Sequence, residues 1–534
     1  MSFRHIFNGL LIMALSILLI ACSSGSSGNG TSDGEKGEKE TEAASGGEIR
    51  VAYSAQPPVL DPQVGTAIIT AEVMGHVFES LLTTDSDYNI KPMLAESWEQ
   101  SDDGLTITFH LREGVLFHNG EEMKAEDVVA SMNRWKDGPG GRGQFEKAEF
   151  EEIDEYTVEL KMEVPISTAL VGIAQGTSSF SAIMPKEVIE GADPTSVEEF
   201  IGTGPFEFVE WKQDQYVHLK KFDDYQGIDE PADGLYGKKE ALVDDLFFQF
   251  VLDSSTRVAG IQSGEYDIAH EVPYDSVEQL ENDENIENQI LPGAGTLIMF
   301  TNKKEGRLFH DVKAREALAT LINADEIMTG AFTDERFYTL NHNMMMPHQE
   351  EQWYSEIGKD KYNVNDHEKA KELFAEAGYN GETVKIMTSR DYEFMYNASV
   401  VLQQELEEVG LDVELEVFDW PTLLDKMVDE NEYDYDINMV WIGYKPEPTS
   451  HHFLATGISG WTDSPELTEL VEKFRSQPTL EDAIPVYDEL QDWFWTYMPA
   501  AKIGDYNRID ATRTSIDNYQ YSDRMILWNV TNDK

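Results

Sequence analysis

A single cysteine in 534 residues, Cys22, constrains this chain more than any other feature. No internal disulfide can form, so whatever folds must be held by buried apolar surface alone. The position of that cysteine says more. A short basic start with Arg4 and His5 leads into an apolar run from Leu10 to Ile20, and Leu19-Ile20-Ala21-Cys22 then gives way to Ser, Gly and Asn. The run is shorter than the ~20 residues a bilayer-spanning helix needs. A small residue before a cysteine marks a cleavage site and not a membrane stop. Residues 1–21 therefore read as a secretory signal of the bacterial lipoprotein kind, with Cys22 as the lipid attachment site on the extracytoplasmic face of the cell membrane.

The remaining length, about 500 residues, exceeds what one core sustains, so two or more lobes are expected. An apolar content of 41% with 11% aromatics suits a globular body. The 101 acidic residues against 40 basic ones leave a net charge of −61. Such a polyanion is excluded as a nucleic-acid binder, which would need Lys and Arg against phosphate. The acidic residues are scattered along the whole chain, as on a solvated surface. They fit adaptation to alkaline or salty surroundings; the sharper alternative is a field that attracts a cationic ligand.

From Ser23 to Gly47 the chain is Ser, Gly, Glu, Lys and Thr with almost nothing apolar, so residues 22–47 read as a lipidated cysteine and flexible tether. Folded sequence starts at Glu48–Tyr53, which alternates like a strand, and Leu105–Leu111 alternates similarly. Glu126–Trp135 has helical spacing. Asn365 or Asp366 can cap a helix carrying Ala370, Leu373, Phe374 and Ala377, stopped by Gly378. Next come a strand at Val384–Met387, a helix from Met395 to Val409 closed by Gly410, and a strand at Leu411–Val417. Strand, helix, strand implies parallel pairing in an α/β lobe.

No catalytic signature is present: no G-x-S-x-G, no H-E-x-x-H, no Walker loop and no cysteine in the folded body. Gly202-Thr203-Gly204-Pro205-Phe206 lacks the Lys of a phosphate loop, and Pro205 removes an amide donor, so it reads as a tight turn. His451-His452, His342 and His348 read as surface or packing residues, and Met344-Met345-Met346 as apolar filler, in preference to metal ligands. More informative are Phe418-Asp419-Trp420-Pro421 and Val440-Trp441-Ile442-Gly443-Tyr444. Each ends a strand, the second before the Pro-interrupted loop Lys445–Ser450. In open α/β sheets ligands bind beyond such strand ends, where aromatics with a few polar groups make a wall.

The folded part resembles the extracytoplasmic solute-binding proteins of oligopeptide, dipeptide and nickel ABC importers, the family 5 type. The resemblance rests on Pro58–Pro62, Val77–Leu82, Pro92–Trp98, Thr108–Gly120 running on to Ala125–Ser131, Gly202–Phe206, Asp311–Leu318 and Lys371–Tyr379, in that order. A lipoprotein start fits a Gram-positive member. The resemblance implies an α/β, two-lobed periplasmic-binding-protein-like fold with an extra subdomain in the first lobe, of the cluster C type. Lobe I would take residues 48–290, with the subdomain at about 83–200, and again 506–534; lobe II would take 291–505. It further implies a monomer with neither cofactor nor metal that closes by hinge motion on a small peptide and hands it to ABC permease subunits. The cleft residues expected are Tyr53 and Gln56 from the first lobe, with Asp419, Trp420, Trp441, Tyr444 and Thr449 from the second. Arg390 is placed there as a partner for a ligand carboxylate. One departure stands out. Tyr444 falls where peptide binders carry an Asp for the peptide's α-ammonium, and a phenol is neutral at pH 7. Asp419 or Glu447 is a candidate substitute; an oligosaccharide or a nickel chelate is the alternative ligand, and a surface-anchored hydrolase the alternative of another class.

Overall fold

The computed structural model describes residues 46–193, 195–429 and 434–534. The signal, Cys22 and the tether up to residue 45 lie outside them. Gly46, the first described residue, donates its N–H to the Leu242 carbonyl at 2.8 Å, and strand Glu48–Tyr53 follows.

An 11-stranded sheet runs through the molecule. One half holds Asp412–Phe418, Thr383–Ser389 and Ile437–Ile442, and the other holds Glu48–Tyr53, Asp245–Phe250, Tyr216–Lys221 and Phe206–Lys212. Two long antiparallel strands, Ile286–Thr301 and Ala500–Arg513, join the halves. The first pairs through Thr296–Thr301 with Ile437–Ile442; the second pairs through Ala511 and Thr512 with Ile268–Ala269. Their mutual register slips between Leu291 and Gly295. Gly293 lies within that slip at φ +76°, and a β-carbon there would come within 2.3 Å of the His348 ring. Only glycine meets both demands.

Where the periodicity is strong the elements follow it. Helix Glu393–Glu408 connects the parallel strands Thr383–Ser389 and Asp412–Phe418, and Asp366 caps helix His367–Glu376 by accepting from the Lys369 N–H at 3.0 Å. The Gly202–Phe206 segment is a close-packed crossing: a β-carbon at Gly202 would meet the Val77 carbonyl at 2.0 Å.

Three apolar cores hold these parts. The largest packs helices Val312–Leu321, Glu393–Glu408 and Leu480–Tyr497 against the half containing Ile437–Ile442. A second lies under Glu48–Tyr53 and takes in Met525, Ile526, Leu527 and Trp528 of the C-terminal tail. The third is separate. It packs helix Ala125–Asp137 onto a four-stranded antiparallel sheet, with Trp135 and Phe109 fully buried. Ser167 and Gln100 tie this small domain to the far half of the molecule, donating to the carbonyls of Phe474 at 2.8 Å and Pro478 at 2.9 Å.

Candidate ligand-binding site

A cavity of about 290 Å³ opens between a hairpin of the small domain, the loop after strand Ile437–Ile442, and the C-terminal tail. Tyr88, Tyr444, Gln349, Gln175 and Asp523 are among its lining residues. A second cavity of about 260 Å³ shares Tyr444, Pro446, Val171 and Gln175 with the first, and adds Lys445 and Glu447.

The hairpin is built around Asp85. Its carboxylate accepts from the backbone N–H groups of Asp87 and Asn89 at 3.1 and 2.8 Å and pairs with Lys91 at 3.0 Å. This turn carries Tyr88 with φ +64°, a left-handed conformation that a bulky residue rarely adopts. The Tyr88 ring stacks on Tyr444 at 5.3 Å and lies 4.7 Å from His348. Burial holds His348 as the neutral imidazole, its pKa pushed down to about 4. Burial and the nearby Asp523 push both phenols up.

Asp523 is the single-residue turn of the hairpin formed by Gln520–Ser522 and Arg524–Ile526, at φ +58°. It is 6% exposed. The Tyr88 phenol, as a hydrogen-bond donor, and the charge of Arg524 both favour its ionised form, yet neither carboxylate oxygen meets strict hydrogen-bond geometry with a described residue. Arg524 next to it places Nη1 on the Gly176 carbonyl at 3.3 Å and its guanidinium over the Phe180 ring, while its charge still favours the Asp523 carboxylate. Burial raises the Asp523 pKa to about 7.

Of the residues expected in the cleft, Tyr444 lines both cavities. Thr449 is buried and accepts from the Arg475 side chain at 2.9 Å, while Glu447 accepts from the Thr449 backbone N–H at 2.6 Å; together they fix the loop that presents Tyr444. Trp420 stacks on Trp441 at 6.4 Å, with Tyr392 edge-on to both, and the Trp441 indole N–H is buried without a partner among the described residues. That aromatic group does not line either cavity. Asp419 is exposed and caps helix Trp420–Val428. Arg390 is exposed and lies 4.1 Å over the Tyr396 ring. Tyr53 donates to Glu72 and stacks on His270 at 3.9 Å, in a buried cluster that includes Arg508. Gln56 accepts from the Asp214 N–H at 2.5 Å. His451 is buried with Nε2 3.3 Å from the Met345 sulfur.

Tyr88, Asp523 and Gln175 were not foreseen from sequence. Turn chemistry marks both hairpins, Asp-Ser-Asp-Tyr-Asn and Ser-Asp, but no local pattern says that the two turns meet.

Residues 89–460 match the model for the bacterial extracellular solute-binding proteins, family 5. A probable peptide ABC transporter periplasmic-binding protein of Sinorhizobium fredii, y4tO, is 28% identical over 494 residues, covering 88% of this chain and 91% of its own. The oligopeptide-binding protein AppA of Bacillus subtilis is 24% identical over 555 residues, covering 97% and 96%. Among solved structures, the substrate-binding protein CtaP of Listeria monocytogenes superposes with a TM-score of 0.79 at 21% identity, covering 92% of this chain and all of that one. The α/β periplasmic-binding-protein fold is therefore shared, as the sequence implied.

Proposed function

The chain belongs to the bacterial extracellular solute-binding proteins of family 5, and from that premise we propose that it is the receptor of an ABC importer that captures small peptides. The observation that carries this reading is the placement of the cavity. Its walls come from the small domain, the C-terminal tail and the loop at Tyr444, which belong to parts of the molecule joined by two long strands. A solute held there makes contacts on both sides, so it favours the closed arrangement by its differential affinity for it. Lobe I then comprises residues 48–290 and 506–534, lobe II residues 291–505, and the two crossovers act as hinge. The names of y4tO and AppA, both peptide-transport proteins, support peptide as the cargo. The protein makes and breaks no bond; Cys22 carries a lipid that keeps it at the membrane, where permease subunits receive the solute.

The test is uptake. Cells lacking this chain should lose import of labelled di- to tetrapeptides, and the purified protein should bind the same peptides without cleaving them. Normal uptake, or peptide turnover by the purified protein, would overturn the reading.

A further inference from the structure

Asp523 carries two buried carboxylate oxygens with no partner in strict hydrogen-bond geometry among the described residues, only the Tyr88 phenol and the Arg524 charge acting on it, and neither a Lys nor an Arg is among the residues lining its cavity. A buried polar group left unsatisfied is costly and calls for a partner. The rest of the wall narrows what that partner is. The rings of Tyr88 and Tyr444, stacked on one another, line the cavity, and Asp87 adds a second carboxylate at the rim. An anion would meet two acidic groups and no cation in the cavity wall, the Arg524 guanidinium being engaged by the Gly176 carbonyl and the Phe180 ring. A cation meets two carboxylates and an overall field of −61.

We propose that this cavity takes a cationic nitrogen bearing N–H donors, a primary ammonium or a guanidinium, with Asp523 as its counter-ion. The proposal rests on the receptor reading above and narrows its ligand. A quaternary ammonium would leave both oxygens unsatisfied, so N–H donors are required. The negative charge absent at Tyr444 thus comes from the facing tail, about the same cavity. Both Tyr88 and Asp523 hold left-handed backbone there, and residues kept in such conformations cluster where function needs them.

The full chain is titrated calorimetrically with trialanine, N-acetyltrialanine and agmatine, as wild type and as Asp523→Asn, with a thermal melt to verify that the variant folds. The expected result is that trialanine or agmatine binds the wild type, that acetylation weakens trialanine at least tenfold, and that D523N weakens the bound cation at least tenfold. Trialanine alone assigns the site to a peptide N-terminus; agmatine binding as well assigns it to any such cation. If N-acetyltrialanine binds as tightly as trialanine, or D523N changes nothing, the cation subsite is overturned while the receptor reading stands. If no probe binds, both fall. The acetylation arm uses the wild type only, so it decides even if D523N misfolds.

Discussion

At the scale of single residues, the molecule places a carboxyl group, 6% exposed, in the wall of a cavity. The Asp523 pKa of about 7 against an ordinary 3.8 means that the folded state holds its proton more tightly than the unfolded chain does. Its contribution to stability is therefore fully present below about 3.8 and is lost as pH rises through about 7. The groups facing it are Tyr88, Tyr444 and Tyr521, all pushed up by burial, with Arg524 lowered to about 10. None of these titrates between pH 5 and 8, and His348 beside Tyr88 is already neutral above about 4. Glu405 does titrate in this range, raised to about 8 by burial, so the quantity to follow is wild type minus D523N. In the absence of ligand, urea melts should show D523N gaining on the wild type from pH 5 to pH 8, by an amount on the order of a few kcal/mol. A flat difference would mean that Asp523 is ionised throughout. Ligand reverses the sign: a bound cation requires the carboxylate, so its affinity should rise with pH up to about 7 and level off.

At the scale of elements, the crossover strand Ile286–Thr301 depends on Gly293. An added methyl would meet the His348 ring at 2.3 Å, on a backbone conformation that itself costs about 1–2 kcal/mol for an L side chain. Gly293→Ala should lower stability by about 2 kcal/mol or more in urea melts, and should weaken solute binding by displacing His348 from Tyr88 and Tyr444. Much of this level was legible in the sequence. The helix at Glu393–Glu408 and its flanking parallel strands follow the 3.6- and 2-residue periods, and the loop that carries Tyr444 sits at a strand end, where ligands bind in such sheets. Asp523 and Tyr88 were not legible. One carboxylate among 101 acidic residues looks like surface, and only the packing of the C-terminal tail against the small domain buries it. The aromatics at Trp420 and Trp441 form a stacked group with Tyr392 edge-on to both, and they do not line either of the two cavities.

At the scale of the whole molecule, three apolar cores and no internal disulfide carry a body of very high negative charge. Self-repulsion of that size weakens the compact state and is screened by salt. Raising sodium chloride from about 10 mM to about 1 M should raise the melting temperature. Unchanged melting would mean that the carboxylates are spaced widely enough not to interact. Solute binding adds to stability by mass action, about 2.7 kcal/mol at a hundredfold excess over Kd. It should also draw the lobes together, seen as a smaller radius of gyration in X-ray scattering. The central claim, a receptor whose cleft selects a cation-bearing small solute, is tested most directly by native mass spectrometry of the protein purified from its own host. The account predicts retained species whose fragmentation shows free primary amines or guanidinium groups, such as short unblocked peptides. Retained solutes with neither group, bound equally by wild type and D523N, would contradict it.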